Sequence, residues 1–205
     1  MTEQPTAKSM WEERYSADHY VFGTEPNEFL RDNIAMLPKG DVLCLAEGEG
    51  RNAVFIAGTG RRVSSIDLTE AGVMKTLRLA SERGVNVVAR VGDLSTEDLG
   101  SDTWDGIVSI SAHMPLQVRA DLHHRVVEAL RPGGVFLLEA YTPDQIGRGT
   151  GGPQSVELTM TLSALEHELA PLEFLHAMET ERMVAEGPGH TGSAAVVQVI
   201  ARKVG

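Results

Sequence analysis

Cysteine is almost missing from this chain: Cys44 is the single one among 205 residues. An internal disulfide is therefore excluded, as are a zinc ribbon and a dithiol redox motif, which need at least a pair of thiols. A reducing, cytoplasmic setting is expected. Basic charge is scarce as well. Lys and Arg number 18 against 29 Asp and Glu, a formal charge of −11, and such a balance repels a polyphosphate backbone unless a local basic patch offsets it. The densest basic spots are the pairs Arg61-Arg62 and Arg202-Lys203, so no nucleic-acid partner is expected. No apolar run approaches the roughly 18 residues of a membrane span, and no membrane partner is expected either. The stretch Met1 to Lys8 is polar, with neither the apolar core of a signal peptide nor the bias of a transit peptide. No metal is expected: the one histidine pair, His123-His124, faces opposite sides of a helix.

What is present is alternation. The hydrophobic share is 42%, enough for one substantial core in a single domain. Short apolar runs bounded by Gly, Asp or Asn read as strands at Val42 to Ala46, Val63 to Ile66, Asn86 to Val91, Gly106 to Ser111 and Val135 to Ala140, with two more near Leu172 to Met178 and Ala194 to Ala201. Helical periodicity lies between them. Phe29, Leu30, Ile34 and Leu37 form a stripe over Pro26 to Leu37; Val73, Leu77 and Ala80 form another that Thr69 starts and Gly84 ends; Leu122, Val126 and Leu130 form a third, stopped by Pro132. Strand and helix in turn predict a three-layer α/β/α sandwich, Rossmann-like, around a mostly parallel sheet. Gly147 to Pro153 reads as a surface loop, and the last two strands, on either side of Gly187-Pro188-Gly189, as an antiparallel hairpin at the sheet edge. Residues 1–38 then form an N-terminal cap segment and helix, 39–141 a cofactor-binding core, and 142–205 a loop, helix and hairpin.

Ligands on such sheets sit beyond the C-terminal strand ends. There the first strand runs into Ala46-Glu47-Gly48-Glu49-Gly50-Arg51-Asn52-Ala53, whose glycine spacing lets backbone turn tightly and approach a ligand at a helix start. Asp67 ends the second strand, where a carboxylate can accept from both hydroxyls of a ribose. Gly92-Asp93-Leu94 ends the third: Asp93 suits an exocyclic amine, and Leu94 the face of an adenine. Each has a plain structural alternative, a strand-to-helix turn, an N-cap or a loop turn. Gly48, Gly50 and Ala53 also satisfy the dinucleotide fingerprint G-x-G-x-x-G/A, so a nicotinamide-dependent oxidoreductase stays open beside an S-adenosylmethionine enzyme. The loop carboxylates Glu47 and Glu49 favour the latter, because they oppose a pyrophosphate and attract an ammonium and a sulfonium.

Taken together these segments resemble class I S-adenosylmethionine-dependent methyltransferases, and most nearly the small bacterial group similar to the tellurite-resistance and thiopurine-type enzymes. The resemblance rests on Trp11-Glu12-Glu13-Arg14-Tyr15, Phe22-Gly23-Thr24-Glu25-Pro26-Asn27, the Leu45 to Asn52 loop, Asp67, Gly92-Asp93-Leu94, Trp104-Asp105-Gly106-Ile107-Val108-Ser109 and Leu130-Arg131-Pro132-Gly133-Gly134. It implies a seven-stranded sheet with an antiparallel last strand. It also implies that Glu47, Gly48 and Gly50 hold the methionine part of the donor, Asp67 the ribose and Asp93 with Leu94 the adenine, that Ser109 lies beneath the sulfur, and that Ala46, Asn52 and Leu68 complete the set. The family commonly has an acid where Cys44 stands and a glycine where Ala46 stands, so either Glu47 takes over the ammonium contact or the methionine end binds differently.

Methyl transfer from a sulfonium needs mainly positioning and desolvation of the nucleophile. The acceptor is expected to be a small molecule, a thiol or a metalloid oxyanion among the candidates; binding of the donor without turnover is the alternative from another class. His113, in the loop after the fourth strand, is the best-placed base, with a loop histidine hydrogen-bonded to backbone as the alternative, and Tyr20, in the N-terminal segment, is expected either to orient the acceptor or to pack that segment down. His190, in a hairpin turn, is a third candidate with a structural alternative.

Overall fold

The computed structural model describes residues 6–187 and 190–205. Within them lie β1 (Asp41–Leu45), β2 (Arg62–Asp67), β3 (Val87–Val91), β4 (Trp104–Ile110), β5 (Leu130–Tyr141), β6 (Glu173–Ala185) and β7 (Thr191–Arg202). They form one seven-stranded sheet in the order β3-β2-β1-β4-β5-β7-β6. The first five strands are parallel, and β7 runs antiparallel to both β5 and β6. Strands β1 and β4 are apolar on both faces because both faces are covered. Leu43, Leu45, Ile66 and Ile107 pack with Leu122, Val126, Leu165 and Leu169 of α5 (Leu116–Ala129) and the segment of α6 (Leu162–Glu168). Val42, Cys44, Val63 and Val108 pack on the opposite face with Ala53, Val54 and Ile56 of α3 (Arg51–Gly58), Leu79 and Ala80 of α4 (Glu70–Glu82), and Phe29 and Leu30 of α2 (Glu28–Asp32). This is the three-layer arrangement expected from alternation.

Three elements differ from the sequence reading. The helix expected over Pro26 to Leu37 stops at Asp32 and resumes as a 3-10 turn at Ile34–Met36. Asn33 donates from Nδ2 to the Phe29 carbonyl at 2.9 Å, a local bond that competes with helix continuation, and Pro38 disfavours helical backbone at Leu37. An unforeseen helix, α1 (Ala7–Tyr15), is capped by Thr6, whose side chain accepts from the Ser9 N–H. The hairpin is also longer than its apolar stretches, since β6 continues through polar residues to Ala185. Residues 1–5, within the polar start, and the Pro188-Gly189 pair at the hairpin turn lie outside the described residues. Among those described, no helix is long and apolar enough to cross a membrane.

Candidate active site

Beyond Leu45 the chain turns at Ala46 with φ 47°, a left-handed conformation that costs a non-glycine residue about 1–2 kcal/mol. Gly48 and Gly50 follow with φ 65° and 95°. A Cβ on Gly48 would lie 2.6 Å from the Tyr15 hydroxyl, and one on Gly50 2.6 Å from the Thr76 Cα. Conformation and space both demand glycine.

Each acid of this loop is turned to a protein donor. Glu47 Oε1 accepts from the N–H groups of Asn52 and Ala53 at 2.9 and 2.8 Å, closing the first turn of α3. Burial pushes its carboxyl up to about 7, against those two bonds. Glu49, almost fully buried, takes Lys75 Nζ at 2.7 Å and the Phe22 N–H at 3.1 Å. Asp67 Oδ2 accepts from the Gly48 N–H at 2.7 Å, while Oδ1 accepts from the Thr69 N–H and hydroxyl at 3.0 and 2.6 Å. Helix α1 lies over this edge. Glu12 accepts from the N–H groups of Glu70 and Ala71 at the start of α4, and burial, with the negative charges of Asp67 and Glu49, holds the Tyr15 phenol well above its usual range.

The neighbouring edge, beyond β4 and β5, is built differently. His113 Nδ1 lies 2.9 Å from the Leu158 carbonyl; a carbonyl only accepts, so Nδ1 carries the hydrogen and Nε2 presents a bare lone pair. Nε2 is buried without a partner, and burial pushes the imidazole down to about 4. The ring stacks on Tyr141 with centroids 5.4 Å apart, and Tyr141 meets His190 edge-on at 5.5 Å. His190 contacts Phe22 at 4.5 Å; burial and then the Arg51 guanidinium push it down to about 4. Arg51 Nη2 donates to Glu186 Oε2 at 2.7 Å, but Nη1 is buried without a partner, as is His190 Nδ1. A buried donor or acceptor left unmade costs about 1–3 kcal/mol, more when charged. Behind these atoms Asn27 and Arg182 bridge Glu139 to Glu186, and Gln198 donates to Glu139 at 2.6 Å.

The residues singled out by sequence divide accordingly. Ala46, Glu47, Gly48, Gly50 and Asp67 come together at the loop, with Leu68 half-buried after Asp67. Asn52 points to the N-terminal segment, its Oδ1 accepting from the Asn27 N–H at 2.9 Å. Ser109 is buried on β4, beside Leu45 in register. Leu94 is buried among Ile66, Leu99 and Leu122, while Asp93 is exposed and accepts from the Ser95 N–H at 2.9 Å. Tyr20 is not brought to His113. Its hydroxyl reaches the Lys75 carbonyl at 3.4 Å and Arg78 Nε at 3.1 Å, with the Arg78 guanidinium 4.9 Å over its ring, so α4 engages its polar end. Arg51, Glu139, Arg182, Glu186 and Tyr141 were not foreseen. The one signal available was an acid, Glu139, inside the apolar run of β5.

Residues 42–134, which span the glycine loop, Asp67, Asp93 and Ser109, match the family model described as a methyltransferase domain. Over that stretch the chain is similar to methyltransferase domains, S-adenosylmethionine-dependent ones among them. The match is to a methyltransferase and not to a nicotinamide-dependent oxidoreductase. A probable S-adenosylmethionine-dependent methyltransferase of Mycolicibacterium smegmatis is 35% identical over 130 residues, 62% of this chain and 48% of that protein. The erythromycin 3''-O-methyltransferase of Saccharopolyspora erythraea is 30% identical over 142 residues, 63% of this chain and 45% of the enzyme. The matched stretch thus spans about half the length of these curated relatives. The crystal structure of TehB from Haemophilus influenzae superposes with a TM-score of 0.72 at 19% identity, over 94% of this chain and 65% of that one. It shares the fold of this chain.

Proposed function

We propose that this chain passes the methyl group of S-adenosylmethionine to a small-molecule acceptor, with a thiol or a metalloid oxyanion among the candidates. The observation that carries this is the adjacency of two unlike edges: a glycine loop ringed by Glu47, Glu49 and Asp67, and beside it an edge where His113 holds a buried, bare lone pair. The loop fits the donor because its bare backbone admits close approach and because Glu47, which pairs with backbone N–H groups and not with a lysine, can turn its charge to a cationic tail. Asp67 takes three of the roughly four hydrogen bonds a carboxylate can accept, so a ribose hydroxyl can join or replace the Gly48 N–H. In this reading Glu47, Gly48 and Gly50 face the methionine part, Asp93 and Leu94 the adenine, and Ser109 the underside of the sulfur, with Ala46, Asn52 and Leu68 shaping the walls.

Bound there, the donor supplies an electrophilic methyl on a sulfonium whose leaving group is a neutral thioether. The chain's task is to orient the nucleophile and receive its proton. His113 Nε2 accepts the acceptor's X–H; a weak base suffices, because X–H becomes strongly acidic as the new X–C bond forms.

Calorimetry with S-adenosylmethionine and S-adenosylhomocysteine tests the donor, and labelled donor with thiols, phenols and metalloid oxyanions tests the acceptor. Binding of both cofactors and transfer to at least one class are expected. No binding of either cofactor at millimolar concentration ends the proposal; binding with no transfer across the panel makes the chain a donor-binding protein without turnover.

A further inference from the structure

We infer that the acceptor is a small acid, whose anionic group is held by Arg51 Nη1 and His190 while its nucleophilic X–H meets His113. The inference rests on the methyl-transfer reading and names the substrate class for it.

Arg51 is 6% exposed and His190 8%, yet each keeps one buried polar atom without a partner, Nη1 and Nδ1. The carboxylates of Glu186 and Glu139 are already engaged by other donors. Glu186 Oε2 already takes Arg51 Nη2, and its Oε1 takes Asn27 and Arg182. Glu139 Oε1 takes Asn27 and Arg182, and its Oε2 takes Arg182 and Gln198. Glu186 Oε2 keeps room for one more donor, yet Nη1 is not turned to it and stays unpartnered. Among the described residues Nη1 meets no acceptor, and a bound molecule can supply one.

The chemistry of the open atoms selects it. A guanidinium N–H is matched best by an anionic oxygen, because charge-assisted bonds are the stronger ones. A second cation reinforces the first: the Arg14 guanidinium, 4.6 Å over the Trp11 ring, lies near enough for its charge to act on His190. At the other end, across Tyr141, the His113 lone pair requires a donor. A molecule that complements both ends carries an ionised oxygen at one and an ionisable X–H at the other, as hydroxy acids and mercapto acids do. The donor's own methionine carboxylate offers the same chemistry at the Arg51 end, and the test separates the two.

The protein saturated with S-adenosylhomocysteine is titrated with three acids, mercaptoacetate, 2-mercaptobenzoate and 4-hydroxybenzoate, and with the methyl ester of each. Methyl transfer to the same six compounds is then measured with labelled donor. At least one acid is expected to bind about tenfold more tightly than its ester. Arg51→Met should abolish that preference and leave S-adenosylhomocysteine affinity within about twofold. Because Arg51→Met also strands Glu186, Arg51→Lys is measured in parallel; it keeps an ion pair with Glu186, loses the second nitrogen and should lose the preference too. His190→Gln should narrow it. No acid preference in any pair overturns the inference. So does an Arg51→Lys protein whose acid preference persists while S-adenosylhomocysteine binds about tenfold more weakly, which assigns Nη1 to the donor's carboxylate. Failure of S-adenosylhomocysteine to bind the unaltered protein is a separate result and removes the methyl-transfer reading itself.

Discussion

The two edges of the site solve opposite problems. At the donor edge the polar groups that sequence picks out are already spoken for: Glu47 closes α3, Glu49 neutralises Lys75, and Asp67 ties the loop to Thr69. At the acceptor edge Arg51 Nη1, His113 Nε2 and His190 Nδ1 are buried with no partner. The difference teaches how the chain divides stability from chemistry. In the proposed reading, side chains that shape the donor loop also hold the fold, while those assigned to the acceptor leave buried polar atoms unpaired at a cost in stability.

That contrast can be broken by mutation. The largest effect is expected from Lys75→Ala, which strands Glu49 in a pair where both side chains are under a tenth exposed; a broken buried pair costs about 3–5 kcal/mol. Denaturant unfolding should show that loss; a change below about 1 kcal/mol would mean that the donor edge is not held by its own ion pair. His113→Asn should do the reverse. It gives up one bond to the Leu158 carbonyl, worth about 1 kcal/mol, yet should lower turnover of X–H acceptors about 100-fold with donor affinity unchanged. A parallel fall in both would place His113 in the donor site. Stability should also respond to acid: both buried imidazoles titrate near 4 rather than 6.5, so between those values the unfolded chain binds protons that the folded one refuses. Stability then falls as pH drops through that window, and replacing His113 and His190 together by Asn should flatten the slope.

The shape of the glycine loop was legible because its residues are close in sequence and local geometry sets their conformation. Gly48 and Gly50 adopt the left-handed backbone that their spacing suggested, and Asp67 stands at the end of β2 facing that loop. The acceptor edge draws one residue each from many segments, Phe22, Arg51, His113, Tyr141, Glu186 and His190, which no spacing links until the sheet closes. The long hairpin was hidden for a related reason: polar residues such as Glu179, Glu181 and Arg182 extend β6 along the open sheet edge, where apolar alternation is not required. Helix α1 buries only Tyr15 and leaves no apolar stripe to read. Tyr20 is an aromatic in the expected segment, but cation–π contacts with Lys75 and Arg78 hold it to α4.

The smallest effect sharpens the contrast from the donor side and concerns Glu47. Its carboxyl titrates near 7 instead of 4.5, so the folded chain keeps a proton that the unfolded chain loses first. The stabilising contribution of that proton is complete below about 4.5 and is lost as pH rises through 7. A cationic tail reverses the preference, because it favours the ionised carboxylate. Affinity for S-adenosylhomocysteine, which brings an ammonium, should therefore rise about fivefold between pH 6 and 8. Methylthioadenosine lacks the amino-acid tail and should show no such rise. Glu47→Gln, which keeps an oxygen for the Asn52 and Ala53 N–H groups, should bind S-adenosylhomocysteine equally at both values. A pH dependence that survives this substitution, or one that methylthioadenosine shares, would move the ammonium contact away from Glu47 and leave that side chain as the cap of α3 alone.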